Sequence, residues 1–300
     1  MTFESEIKKI SGLSFHPLED LTSYTTMRLK SIGDLLIVNN KSALKESLRI
    51  IKKFDRDYFV IGWGANLILP PVNKALIIHL DFSFDLSELN DVKEEYILPA
   101  SLGLNHLTSH AVKFNLVGWD VFTGIPASLG GAVYMNAGTN LGEIGSLIKS
   151  VLVITRSGEE KEIILNEKSF SYRKNHFLSE GDIIVEVVMK NLGSDSSVCE
   201  RIKAYLELRR KTQPLATKNC GCVFKNPGKK LQAGRLVDQI GLKGLSFGGL
   251  VISPKHANFI ENRDLSDWYQ FSTLTETVKF YMDHFYGIEF ELEVKIPYHN

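Results

Sequence analysis

Gly118-Trp119-Asp120-Val121-Phe122-Thr123-Gly124-Ile125-Pro126-Ala127-Ser128-Leu129-Gly130-Gly131-Ala132-Val133-Tyr134-Met135-Asn136-Ala137-Gly138 is the stretch whose reading decides the fold. It crowds small residues behind a tight Thr123-Gly124-Ile125-Pro126 turn. Glycine has no Cβ, so backbone here can come close to another backbone or to a ligand. Pro126 suits the first position of a helix, where a missing N–H costs nothing. The run therefore predicts a short helix of small residues whose free N–H groups could meet an anion. Met135-Asn136-Ala137-Gly138 then sets a polar residue among small ones, which favours a ligand over plain packing.

Around this stretch, 300 residues suit two domains or one with subdivisions. Lys+Arg and Asp+Glu balance at 35 each, so no global field points to nucleic acid as a partner. Any phosphate must be met by local groups. The opening Met1-Thr2-Phe3-Glu4-Ser5-Glu6 is acidic and carries no signal-peptide core, and no apolar run nears a membrane span. The chain reads as cytoplasmic, with no membrane partner. Cys199, Cys220 and Cys222 make a disulfide framework unexpected. Cys220-Gly221-Cys222 has no second Cys/His cluster to complete a zinc site, so no metal is expected. Oligomeric state is not legible.

The patterning predicts an amphipathic helix over 42–54, with Leu44, Leu48 and Ile51 at helical spacing, then a strand at Tyr58–Ile61. Val151–Ile154 and Glu162–Leu165 flank Ser157-Gly158, a hairpin signal, and 182–190 is another strand. A polar break over 191–197 marks the expected domain boundary. Beyond it, 199–211 and 271–285 read as helices. Ile288, Phe290, Leu292, Val294 and Ile296 alternate with Glu289, Glu291, Glu293 and Lys295, as in a half-buried strand. Strands and helices mix without regular βαβ alternation, which argues for an α+β fold over a doubly wound sheet.

Four segments could carry chemistry. Gly62-Trp63-Gly64 follows a strand but lacks a third glycine, and Pro70-Pro71 stands where a crossover helix would begin. That leaves a tight turn or a backbone nest for an anion. With the glycine-rich turn at 124–131, a pyrophosphate held by two loops becomes credible. Phe170-Ser171-Tyr172-Arg173 reads by itself as a surface pair, and Asn219–Pro227 as a loop with a buried cysteine. The glutamates of the last segment read as a solvated face.

In order along the chain, these pieces resemble the UDP-N-acetylenolpyruvoylglucosamine reductase family. The resemblance runs from about Leu21 to Pro297. It rests on Ile61–Leu67, Gly124–Ala132 with Met135–Gly138, Ser171–Arg173, Gly221–Pro227, Gly241–Gly244, His256–Ile260 and Glu291–Val294. It implies an FAD-binding module of the vanillyl-alcohol-oxidase type over 1–195, in two subdomains split near 72, and a C-terminal α+β substrate-binding domain over 196–300. It implies FAD held by Gly62, Gly64, Ala65, Asn66, Leu67, Gly124, Ile125, Pro126, Gly130, Gly131, Asn136, Ala137 and Gly138. NADPH would reduce the flavin, and the enolpyruvyl group of a UDP-sugar would then be reduced on the way to peptidoglycan. Arg173, Cys222 and Glu293 fall at the family's catalytic positions, and Tyr172, Lys225 and Asn226 at substrate positions. Cys222 stands where most relatives have serine. The alternative is a flavin-dependent oxidase of the same fold.

Overall fold

The computed structural model describes residues 2–228 and 230–297. They form an α+β structure in two compact units whose sequence ranges interleave. The first holds the residues up to Pro17, Asp34–Gly62 and Lys74–Leu206. The second holds Leu18–Gly33, Trp63–Asn73 and the residues from Glu207 on. A single cut at 195/196 thus differs from the observed division, whose last boundary falls inside the helix Ser197–Thr212. Composition breaks cannot reveal that two early segments belong with the C-terminal unit.

The first unit is built on two four-stranded sheets. One runs in the order Leu13–Asp20, Ile32–Val38, Val72–Leu80, Tyr58–Ile61. Its last two strands pair in parallel, Tyr58 opposite Leu76 and Ile61 opposite His79. The link between them, 62–71, contains no helix, in keeping with Pro70-Pro71. The helix Lys41–Lys53 buries Ala43, Leu44, Ser47, Leu48 and Ile51, and the Asn40 side chain caps it by accepting from the Ala43 N–H at 2.8 Å. The predicted helix is therefore present, shifted by one residue.

The other sheet is antiparallel, in the order Glu95–Pro99, Ile183–Lys190, Ile148–Ile154, Glu160–Ile164. The Ser157-Gly158 hairpin forms as expected, with Ile154 opposite Glu160. Inward residues Val185, Val187 and Met189 are buried with Tyr96, Trp119 and Phe122. Aromatic burial of this kind contributes on the order of 2–3 kcal/mol per side chain. The Trp119 Nε1–H still finds a partner, donating to the Lys190 carbonyl at 3.1 Å.

The second unit packs the helices Ala233–Gln239 and Trp268–Tyr286 with a three-stranded sheet, Ser246–Phe247, Leu250–Ile252 and Ile260–Asn262. Its core includes Phe224, Phe271, Leu274, Val278, Met282, Phe290 and Val294. Buried Asn262 ties in the early segment by donating to the carbonyls of Met27 and Arg28 at 2.9 and 3.0 Å. The predicted strand over 288–296 is a correction. Its alternating burial is present, Phe290 and Val294 inward and Glu289 and Glu291 outward. However, only isolated bridges form, Leu292 with Phe224 and Lys295 with Leu67. The segment changes partner midway, so no continuous ladder defines a strand. No helix among the described residues is long and apolar enough to cross a membrane.

Candidate active site

The helix of small residues starts later than its proline suggested. It spans Leu129–Tyr134, with Ser128 rather than Pro126 at its entrance. Its first N–H groups are already engaged. Leu129 donates to the Leu102 carbonyl and Gly130 to that of Ala100, both at 2.8 Å, and Gly131 to Ser128 Oγ at 3.4 Å. The expectation that this helix end offers free donors to an anion is overturned. Gly130 has a packing reason, since a Cβ there would sit 2.7 Å from the Ala100 Cβ. Gly62 likewise lies against Ser128 Oγ. Ile125 and Ala137 are half-buried, and Ala137 donates to the Ala132 carbonyl at 2.8 Å.

Asn136 is 1% exposed, and its side-chain amide is spent inside the protein. Nδ2 donates to Glu143 Oε2 at 2.7 Å and to the Ser171 carbonyl at 3.1 Å, while Oδ1 accepts from the Gly145 N–H at 3.1 Å. Ser171 ends one arm of a minimal hairpin, Phe170–Ser171 with Lys174–Asn175, whose two-residue turn is Tyr172-Arg173. Arg173 sits at φ +57°, uncommon for a side-chain-bearing residue. Its Nη2 donates to the Gly138 carbonyl at 2.9 Å and its Nη1 to that of Asn136 at 3.4 Å, and the guanidinium lies over the exposed Tyr172 ring. Two fixed carbonyls thus aim a permanent cation.

In the second unit, the chain after Cys222 pairs with the tail. The Val223 carbonyl accepts from the N–H of Glu293 at 2.8 Å and of Val294 at 3.4 Å, and Lys225 donates to the Glu291 carbonyl at 2.9 Å. Cys222 and Glu293 therefore lie on adjoining segments, both half-buried. The Glu293 carbonyl also accepts from Asn66 Nδ2 at 3.2 Å. Cys220 is fully buried, and its thiol is pushed up to about 12 by burial, with Cys222 and Glu293 as nearby charges adding to the rise. The Lys225 ammonium pairs with Glu291 Oε2 at 2.7 Å, which lowers the Glu291 pKa. Asn226 Oδ1 accepts from the Ala233 N–H at 3.0 Å, at the start of a helix.

The turn at Trp63-Gly64-Ala65-Asn66-Leu67 retains unused donors. None of its backbone N–H groups donates to another of the described residues, whereas the Gly64 and Asn66 carbonyls are engaged. Gly64 has φ +61°, and a Cβ there would meet the Tyr24 carbonyl oxygen at 2.2 Å. A turn that needs glycine and whose backbone N–H groups meet no acceptor among the described residues has the form of a backbone nest that could hold an anion.

Three residues escaped the sequence reading. Ser128 caps its helix, Glu143 accepts from Asn136, and Asn258 grips the chain beyond Cys222. Asn258 Oδ1 accepts from the Phe224 N–H at 2.9 Å, and Nδ2 donates to the Phe224 carbonyl at 2.8 Å. Its signal was an asparagine inside the otherwise apolar Ala257–Ile260 run.

Residues 35–163 match the FAD binding domain family. Residues 213–297 match the family described as the C-terminal domain of UDP-N-acetylenolpyruvoylglucosamine reductase. Fold and donor set together define a flavin-dependent oxidoreductase. The UDP-N-acetylenolpyruvoylglucosamine reductase of Heliobacterium modesticaldum is 34% identical over 281 residues, covering 93% of this chain and 89% of its own. That of Thermotoga maritima is 31% identical, covering 93% and 97%. The crystal structure of the enzyme (MurB) from Thermus caldophilus superposes with a TM-score of 0.78 at 31% identity, covering 95% of this chain and 98% of that one. The chain belongs to the UDP-N-acetylenolpyruvoylglucosamine reductase family.

Proposed function

We propose that this protein reduces the enolpyruvyl group of UDP-N-acetylglucosamine enolpyruvate to UDP-N-acetylmuramate, a peptidoglycan precursor, with FAD as bound cofactor and NADPH as reductant. The observation that carries the reading is the pairing of Val223 with Glu293. It joins the segment bearing the Cys222 thiol to the segment bearing the Glu293 carboxyl group.

When bound, FAD would supply hydride-transfer chemistry toward the terminal carbon of the enolpyruvyl group. The run Trp63–Leu67 is suited to hold the cofactor's diphosphate through its backbone donors, and residues 124–138 to line it. Electron density then grows on the carbon next to the substrate carboxylate. Arg173 counters it, being charged at every working pH and able to grip a carboxylate with two parallel N–H bonds. An aimed donor of this kind needs no reorganisation as charge develops. Cys222 gives its proton to that carbon, and solvent restores the thiol. A thiol is a stronger acid than a serine hydroxyl and can act as a general acid. Glu293 positions the enol-like species.

Tyr172, Lys225 and Asn226 are assigned to the UDP-sugar. Lys225 would exchange Glu291 for the substrate diphosphate. Asn226 accepts from the Ala233 N–H with its oxygen, and its Nδ2 donors, which meet no acceptor among the described residues, suit a ligand. The purified protein loaded with FAD should be yellow and oxidise NADPH only when the enolpyruvyl UDP-sugar is present. A protein that takes up no FAD, or that oxidises NADPH equally without the sugar, overturns the assignment.

A further inference from the structure

We infer that Asn136 is a positioning residue for Arg173 rather than a ligand of the cofactor. The inference rests on the reading that Arg173 acts on the substrate carboxylate.

Both hydrogens of the Asn136 amide are committed, one to Glu143 Oε2 and one to the Ser171 carbonyl. Its Oδ1 holds the Gly145 N–H, and its own carbonyl accepts from Arg173 Nη1. At 1% exposure it offers a ligand almost no surface. What it does touch is the Tyr172-Arg173 turn at two points, through the last strand carbonyl before the turn and through the guanidinium itself. That turn needs holding, because Arg173 adopts φ +57° and Asn136 itself φ +44°. Left-handed backbone costs a residue with a Cβ about 1–2 kcal/mol, and asparagine tolerates it better than most. A second amide braces the other arm, as Asn175 Nδ2 donates to the Tyr134 carbonyl at 2.8 Å. Gly138 leaves room beside both partners, since a Cβ there would lie 3.2 Å from Arg173 Nη1 and 2.9 Å from Glu143 Cγ.

The chemistry requires an amide at 136. Aspartate matches its shape and its backbone preference but has no hydrogen to donate. Asn136→Asp would set one carboxylate against that of Glu143 and an oxygen against the Ser171 carbonyl. Changing Glu143 to Gln in addition removes the repulsion and supplies a new N–H donor across the same gap.

The test compares Asn136→Asp, the Asn136→Asp/Glu143→Gln double variant and Arg173→Ala. FAD affinity is read by fluorescence quenching, flavin reduction by NADPH by stopped-flow, and reduction of the enolpyruvyl UDP-sugar in a single turnover. In Asn136→Asp, FAD affinity should stay within a factor of about three, because no cofactor contact is lost. Sugar reduction should slow roughly tenfold or more, the scale of a lost hydrogen bond in a charged network. The double variant should recover part of that rate, because the contact across to residue 143 is restored while the Ser171 carbonyl still faces an oxygen, a coupling expected of groups in direct contact. Loss of FAD affinity by the same factor as the rate, or recovery of thermal stability without recovery of rate, overturns the inference. If Arg173→Ala itself reduces the sugar at the unaltered rate, the functional reading of Arg173 fails instead. Slow Arg173→Ala with fast Asn136→Asp refutes the positioning role alone. Should Asn136→Asp fail to fold, the double variant gives the same three readouts.

Discussion

Cys220 and Cys222 stand two residues apart in opposite environments, the first fully buried and the second half-buried, with Gly221 at φ +77° turning the chain between them. Burial holds the Cys220 thiol protonated, pushed up to about 12, so it is neither a nucleophile nor a proton donor near neutral pH. Of this pair, only Cys222 is partly exposed.

A direct consequence is selective alkylation. Treated with iodoacetamide at pH 8, the native protein should remain unmodified at Cys220 and become modified there only after denaturation, as read by peptide mass spectrometry. Labelling of native Cys220 at the rate of an exposed thiol would contradict its burial.

Cys222→Ala should leave reduction of the flavin by NADPH intact while slowing sugar reduction by roughly 10²- to 10⁴-fold, the usual worth of a positioned general acid. Cys222→Ser should recover much of that loss, because a hydroxyl can occupy the same place and deliver a proton. Stopped-flow separation of the two half-reactions decides it. An Ala variant as fast as the unaltered protein in the second half-reaction would assign the proton to another group.

Gly64→Ala should destabilise the protein and weaken FAD binding together. A Cβ at φ +61° costs about 1–2 kcal/mol in backbone strain alone. It would also be driven against the Tyr24 carbonyl oxygen at 2.2 Å, which as backbone cannot swing aside. Gly228→Ala is the control, since no described residue beyond its chain neighbours lies within 4 Å of a Cβ there and the residue is not at positive φ. Thermal melts with and without FAD should show a clear drop for the first and little change for the second. Equal melting temperatures would remove the close approach from the argument.

How much of this was legible beforehand depended on whether the signal was local. The helix Lys41–Lys53 and the Ser157-Gly158 hairpin were readable because periodicity and turn chemistry act within a few residues. Pro126 misled by three positions, because the Leu102 and Ala100 carbonyls, remote in sequence, capture the first N–H groups of Leu129 and Gly130. The tail at 288–296 showed the right inward face but no ladder, since strand identity depends on a partner that the alternation does not name. Cys222 and Glu293 could be singled out only by family resemblance. Their adjacency is made by the pairing of Val223–Lys225 with Glu291–Val294, which no pattern in either segment announces. The roles of Asn136 and Asn258 were hidden for the same reason, since their partners lie 7 to 37 residues away from Asn136 and 34 away from Asn258.

Stability should also fall as pH drops from 7 towards 5, and His110 should carry part of the slope. The ring is buried in the first unit, with Nδ1 2.8 Å from the Leu89 carbonyl and Nε2 3.0 Å from the Tyr96 hydroxyl. A carbonyl can only accept, so Nδ1 carries the hydrogen and neutral Nε2 accepts from Tyr96, whose oxygen in turn accepts from the Lys93 N–H. Burial lowers the His110 pKa, and the positive charges of Lys113 and Lys93 lower it further, outweighing the Leu89 contact. The folded state therefore binds fewer protons than the unfolded chain once pH falls below about 6.5. The stabilisation is complete above that value and is lost progressively as pH falls towards the depressed folded pKa. His256, also lowered chiefly by burial, adds a slope of the same sign. The carboxylates with lowered pKa values, such as Asp195 and Glu291, act only at more acidic pH and leave this window clear. Urea midpoints measured between pH 5 and 8 should fall on the acid side for the unaltered protein and fall less steeply for His110→Gln, whose absolute stability will be lower throughout. An unchanged slope in that variant would mean that His110 charges in the folded state as easily as in the unfolded chain.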